Sequence, residues 1–125
     1  MRRWIAAILG LFNTANGLAM LFASSTWWDG VPGVPETGQF NPHFVHDVGA
    51  AFLIAGLAQV ARAWRPIYWP AALAGSAFLA AHAAIHLVMI ARGQDHHAAA
   101  DLASVILPAA LAVYSAFPGK GEQYA

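Results

Sequence analysis

Apolar residues run through this chain in four long blocks, and polar residues collect in the short stretches between them. The blocks predict helices over about residues 4–23, 43–64, 68–92 and 98–117, with a long connection over 24–42. Each is long enough to cross a hydrocarbon core of about 30 Å, since a helix rises about 1.5 Å per residue. Without water at that depth, a helix satisfies its backbone within one segment, and four strands would be too few to close a barrel. The pattern therefore predicts an all-α fold, a four-helix transmembrane bundle forming one integral domain over residues 1–125.

Local signals sharpen the boundaries. Asn41 followed by Pro42 is a helix start: the Asn side chain accepts from orphan amides, and Pro needs no donor at the first position. Arg65-Pro66 makes a short turn after the second helix, and Gly93 stops the third. Pro108 inside the fourth predicts a kink. Gly10 and Gly17 lie seven residues apart, as do Gly49 and Gly56, so each pair falls on one stripe where two backbones can approach. Close packing between helices is the first reading of these stripes; room for a flat cofactor or a lipid is the second. The connection over 24–42 opens with Trp27 and Trp28, an aromatic pair suited to the headgroup level, and is then punctuated by Gly30, Pro32, Gly33, Pro35 and Gly38. These predict turns, with the tryptophans and Phe40 pinning the loop over the bundle mouth.

Composition agrees. Of 125 residues 59% are hydrophobic and 10% charged, against about a quarter charged in a soluble domain. Net charge is zero with no basic run, which argues against a nucleic-acid partner. The absence of cysteine removes disulfides, thiolate metal sites and thiol catalysis. Basic residues set the orientation. Arg2, Arg3, Arg62, Arg65 and Lys120 fall on one side and only Arg92 on the other, so both termini are expected in the cytoplasm. Most of the acids (Asp29, Glu36, Asp47, Asp95, Asp101) lie in or beside the opposite, outer segments. Arg2, Arg3, the apolar run and Ala23, Ser24 and Ser25 also fit a signal peptide; the length of the run and the interrupting Asn13 and Asn16 favour a retained helix. The expected setting is a bacterial inner membrane, with lipid as the principal partner and small-residue faces suited to a homo-oligomer or a larger membrane complex.

All six histidines fall in the outer half. His43, His46 and Asp47 form a polar stripe over the first turns of the second helix, and His82 and His86 are an i, i+4 pair near the outer end of the third. The helices run in opposite directions, so His46, Asp47 and His86 reach comparable depths. His82 sits one turn deeper, while Asp101 and Ser104 of the fourth helix complete the ring. Ionisable groups in a bilayer face the bundle interior, so Asp47 is expected to point inward toward His43, His46 or His86. His96 and His97 read as loop residues, or as an outer capture point for a metal. Asn13, Asn16, Gln59 and Ser76 read as hydrogen-bonding residues between helices.

Three functions compete for these residues. The first is a site for a transition metal, with His43, His46, Asp47, His82 and His86 as candidate ligands; imidazole and carboxylate without thiolate suit zinc, iron, copper(II) or manganese. Within it stands haem b, with His46 and His86 as axial ligands on facing helices. The second is a non-catalytic scaffold or complex subunit whose polar cluster only fixes helix packing. The third is a proton-linked carrier of small solutes, set back by the lack of a charged group lining the inner half. No nucleophile or acid–base pair points to a substrate, so whether the chain is an enzyme stays open.

At Asn41-Pro42-His43-Phe44-Val45-His46-Asp47-Val48-Gly49 the chain resembles a group of small four-helix bacterial membrane proteins near the DoxX-like families. The shared features are an aromatic, Pro- and Gly-rich outer loop and an Asn-x-His-Phe-x-x-Asp-x-Gly stretch, here Asn41, His43, Phe44, Asp47 and Gly49. The resemblance implies the fold and the membrane location and carries no activity.

Overall fold

A computed structural model describes residues 1–94 and 96–122. Four helices cross the bundle: α1 (Arg2–Phe22), α3 (Pro42–Trp64), α4 (Trp69–Ala91) and α5 (Ala98–Ala116). Between α1 and α3 lies a short helix, α2 (Ser24–Gly30), which follows a break at Ala23, where φ is −139°. A single 3₁₀ turn, Val34–Thr37, completes that connection. No strand occurs among the described residues. Large apolar side chains point away from the bundle along its length: Trp4 is 74% exposed, Ile54 67% and Ile85 60%. Outward-facing apolar surface on four spanning helices has lipid as its natural solvent, and the chain is a multi-pass membrane protein.

The boundaries follow the local chemistry. The Asn41 side chain accepts the Phe44 amide at 3.3 Å and Pro42 opens α3. Gly93 takes φ +66° just beyond the end of α4, the left-handed conformation that glycine adopts at no steric cost. In α5 the anticipated disturbance at Pro108 takes the form of a π-helical stretch, Leu102–Ile106, immediately before the turn that holds the proline. Pro108 cannot donate to the carbonyl four residues earlier, and its ring crowds that carbonyl; a wider turn relieves both.

The most extensive helix pairing is α1 on α3, and the four glycines are its contact surface. A β-carbon on Gly17 would stand 2.6 Å from the Gly49 carbonyl oxygen, and one on Gly49 would stand 2.6 Å from the Met20 β-carbon. Gly10 and Gly56 meet in the same way one half-span away, with a Gly10 β-carbon 3.0 Å from the Gly56 carbonyl oxygen. The stripes are thus filled by the facing helix. On α4, Gly75 plays the same part against Ala55 of α3.

Five of the six arginine and lysine residues gather at one end of the bundle, and the histidines, with Arg92, at the other. At the arginine end α3 and α5 both finish, leaving unpaired carbonyls with the negative pole of each helix. Arginines occupy them. Arg3 donates to the Ala63 and Trp64 carbonyls at 3.0 and 3.1 Å, and Arg2 donates to Phe117 and Pro118 at 3.2 and 2.9 Å. The Arg2 guanidinium also lies 4.5 Å from the centre of the Tyr114 ring.

Candidate functional site

At the histidine end the 24–42 connection folds down onto the bundle. Trp28 is buried with Met20 and Val45 and meets Phe40 edge-on, ring centres 5.7 Å apart. The Trp27 indole donates to the Asn16 side-chain oxygen at 2.9 Å, so Asn16 ties α1 to α2. His97 pairs with Glu36 at 2.9 Å, and its ring packs over Gly33, joining the two connections at this end. His96 is exposed. Asp95 lies outside the described residues.

Beneath this cover the expected ring of ligands divides. His86 Nδ1 is hydrogen-bonded to the Asp101 carboxylate, linking α4 to α5 at the residue before the π stretch. His82, one turn deeper, lies edge-on to His86 with ring centres 4.8 Å apart. Phe52 of α3 meets the His82 ring edge-on at 5.5 Å, and Phe78 stacks beneath it at 6.2 Å. Both imidazoles are partly buried. The result is a short polar chain, His82–His86–Asp101, floored by two phenylalanines.

The other half of the ring is elsewhere. His43 and Asp47 pair with each other along α3, Nε2 to Oδ2 at 3.7 Å, with side chains 86% and 67% exposed. The expectation that Asp47 points inward is therefore corrected. The inward positions of α3 at that level are Val45 and Gly49, packed against α1 and Trp28, and no space faces a carboxylate there. Asp47 lies about five residues, or about 7 Å, below the start of its helix, within reach of the headgroup region. His46 is half-buried and makes no hydrogen bond, ion pair or ring contact with another described residue. Ser104 is exposed and donates back to the Ala100 carbonyl at 2.7 Å, so it does not join Asp101. Among the described residues no three His, Asp or Glu side chains are arranged to hold a metal ion together. A surface groove lined by Ala84, Ile85, Val88, Met89, Arg92 and Gln94 does not include the histidine pair.

No protein-family model, curated protein or solved structure matches the chain.

A second polar group sits at the arginine end, where the sequence used Arg62 only as a sign of orientation. Arg62 is inside α3 and fully buried. It donates to the Ala116 and Phe117 carbonyls at 3.2 Å each and to Glu122 at 2.7 Å. The available signal was Pro66, which holds the helix end to Trp64 and leaves Arg62 within the last turn. Deeper in, Gln59 donates to the Ser76 hydroxyl at 3.0 Å, the anticipated bond between helices, here between α3 and α4.

Glu122 closes this end of the bundle. The Gly119 amide, donating to the Glu122 carboxylate at 2.7 Å, together with Arg62, holds this carboxyl below its ordinary value against the opposing pull of partial burial. A depressed carboxyl pKa stabilises the folded tail above the unfolded value of about 4.3, and that contribution is lost as pH falls through the folded value. A carbon-13 titration of the Glu122 side chain should place its midpoint below the usual glutamate range. A midpoint at or above that range would mean the contact does not persist in the membrane.

Proposed function

We propose that this protein is a bacterial inner-membrane protein that binds a transition-metal ion at His82 and His86, with Asp101 as the orienting carboxylate. The observation that carries the reading is the engagement of His86 Nδ1 by Asp101. That bond fixes the ring and leaves Nε2 as the ligating atom, beside a second imidazole one turn away. Two imidazoles and no thiolate suit zinc, copper(II) or iron, with remaining positions taken by water or an incoming ligand. The glycine stripes are occupied by helix contacts, which favours an ion over haem b on His46 and His86. Arg2, Arg3, Arg62 and Arg65 at the opposite end support an outward-facing, periplasmic histidine end.

The test is metal analysis on protein purified without a histidine tag and dialysed against zinc or copper(II). One ion per chain is expected, lost in His86→Ala and retained in His43→Ala. Asp101→Asn should weaken affinity about 10–100-fold. Wild-type protein that stays metal-free would end this reading in favour of the packing reading. The packing reading has its own support, since the His86–Asp101 bond joins α4 to α5 and the described residues supply no third ligand. It predicts that Asp101→Asn and His86→Ala lower stability alike and change no bound species.

A further inference from the structure

We propose that the arginine end encloses a bound water that bridges Arg62 on α3 to the Gln59–Ser76 pair joining α3 and α4. Two polar atoms carry the argument. Arg62 Nη1 and Gln59 Oε1 are both fully buried, and neither has a hydrogen-bonding partner among the described residues. They belong to residues three apart on one helix, so they occupy the same face about one turn from each other.

Their partners explain why they do not meet. The Arg62 Nε and Nη2 atoms are drawn toward the end of α5 by the Ala116 and Phe117 carbonyls and by Glu122, which leaves Nη1 on the side of the fork away from Glu122's bond. Gln59 is drawn toward α4 by Ser76. One leftover atom is a donor of two hydrogens and the other an acceptor with two lone pairs. A buried charge-bearing donor and a buried amide oxygen are both costly to leave unpaired. A molecule that accepts from one and donates to the other satisfies both, and water is the smallest that does so. With the Gln59 amide turned over, its nitrogen becomes the unpartnered atom, and water, with two lone pairs, accepts from both.

Thr14 Oγ1 is a third buried, unpartnered atom, but it lies against Gly56, where the α1–α3 approach is tightest. It belongs to α1, in the α1–α3 contact, and is not part of the site. The bridge extends the polar contact from Glu122 through Arg62 to Gln59 and Ser76, joining the tail to α3 and α4 at one point.

The test uses the full chain in lipid nanodiscs with nitrogen-15 in the arginine side chains. The Arg62 guanidinium resonance is identified by its loss in Arg62→Gln. A dipolar cross-peak from Arg62 Nη1 protons to water, opposite in rotating-frame sign to the exchange peaks of the exposed arginines, is expected. It should weaken several-fold in Gln59→Leu while the Arg62 nitrogen shifts stay in place. A resolved Arg62 signal with no dipolar water peak in the wild-type protein overturns the proposal, and so does a peak that Gln59→Leu leaves unchanged. The wild-type result stands alone if the variant does not fold.

Discussion

Gly56→Ala should destabilise this protein by about 3 kcal/mol or more, a large effect for the addition of one methyl group. The new β-carbon would overlap the backbone amide of Thr14 and stand 2.6 Å from Thr14 Oγ1 and 2.8 Å from the Gly10 carbonyl oxygen. Two of those three neighbours are backbone, so no side-chain rotation relieves the clash. The only escape is to move α1 away from α3, which loosens the most extensive interface in the bundle. Lipid offers no hydrophobic reward for pressing two helices together, so close packing itself holds this pair, and a lost fraction of an ångström is not recovered elsewhere. Gly30→Ala supplies the control. A β-carbon there meets nothing within 4 Å and the residue lies in α2, so stability should change by a few tenths of a kcal/mol. Unfolding in mixed detergent micelles measures both. A Gly56→Ala protein as stable as Gly30→Ala would mean that α1 and α3 are not in backbone contact at Gly56.

That interface was legible in the sequence, and the reason is physical. A bilayer removes most of the ways a chain can satisfy its backbone, so four apolar blocks predict four helices. Seven-residue spacing of Gly10 with Gly17 and of Gly49 with Gly56 reports which faces meet, because small residues have little other use there. Asn41-Pro42 and Gly93 mark helix ends through backbone chemistry that does not depend on the rest of the fold. The site was less legible because depth along a helix is easy to read and direction around the bundle is not. His86 and Asp101 share a depth and do meet. Asp47 shares it too, but its side chain falls on the outer face of α3. The 24–42 connection hid α2, since Trp27, Trp28 and the following glycine and prolines read equally well as an interfacial loop. The π stretch in α5 was foreshadowed only by Pro108, and its effect lands on the preceding turn, next to Asp101.

Arg62 is the residue whose role most changed between sequence and structure, and its replacement should have the second large effect. Arg62→Met is expected to cost on the order of 3 kcal/mol. A buried ion pair is often exchangeable for an apolar one of similar volume, but here two of the three recipients are backbone carbonyls of the last α5 turn and cannot be exchanged. Methionine fills the space and leaves Ala116 and Phe117 without that donor at the negative pole of their helix. Lysine keeps the charge but has no planar fork to reach two carbonyls and a carboxylate together, so Arg62→Lys should fall between methionine and wild type. Glu122→Gln should cost well under 1 kcal/mol, because that side chain is 25% exposed and an amide oxygen still accepts from Gly119. The expected order of destabilisation is therefore Arg62→Met, then Arg62→Lys, then Glu122→Gln, read from the same micelle unfolding curves. If Arg62→Met costs no more than Glu122→Gln, the guanidinium is held by the tail alone. If the order holds, the charge that served in the sequence only to mark orientation is also the cap that keeps the end of α5 against α3.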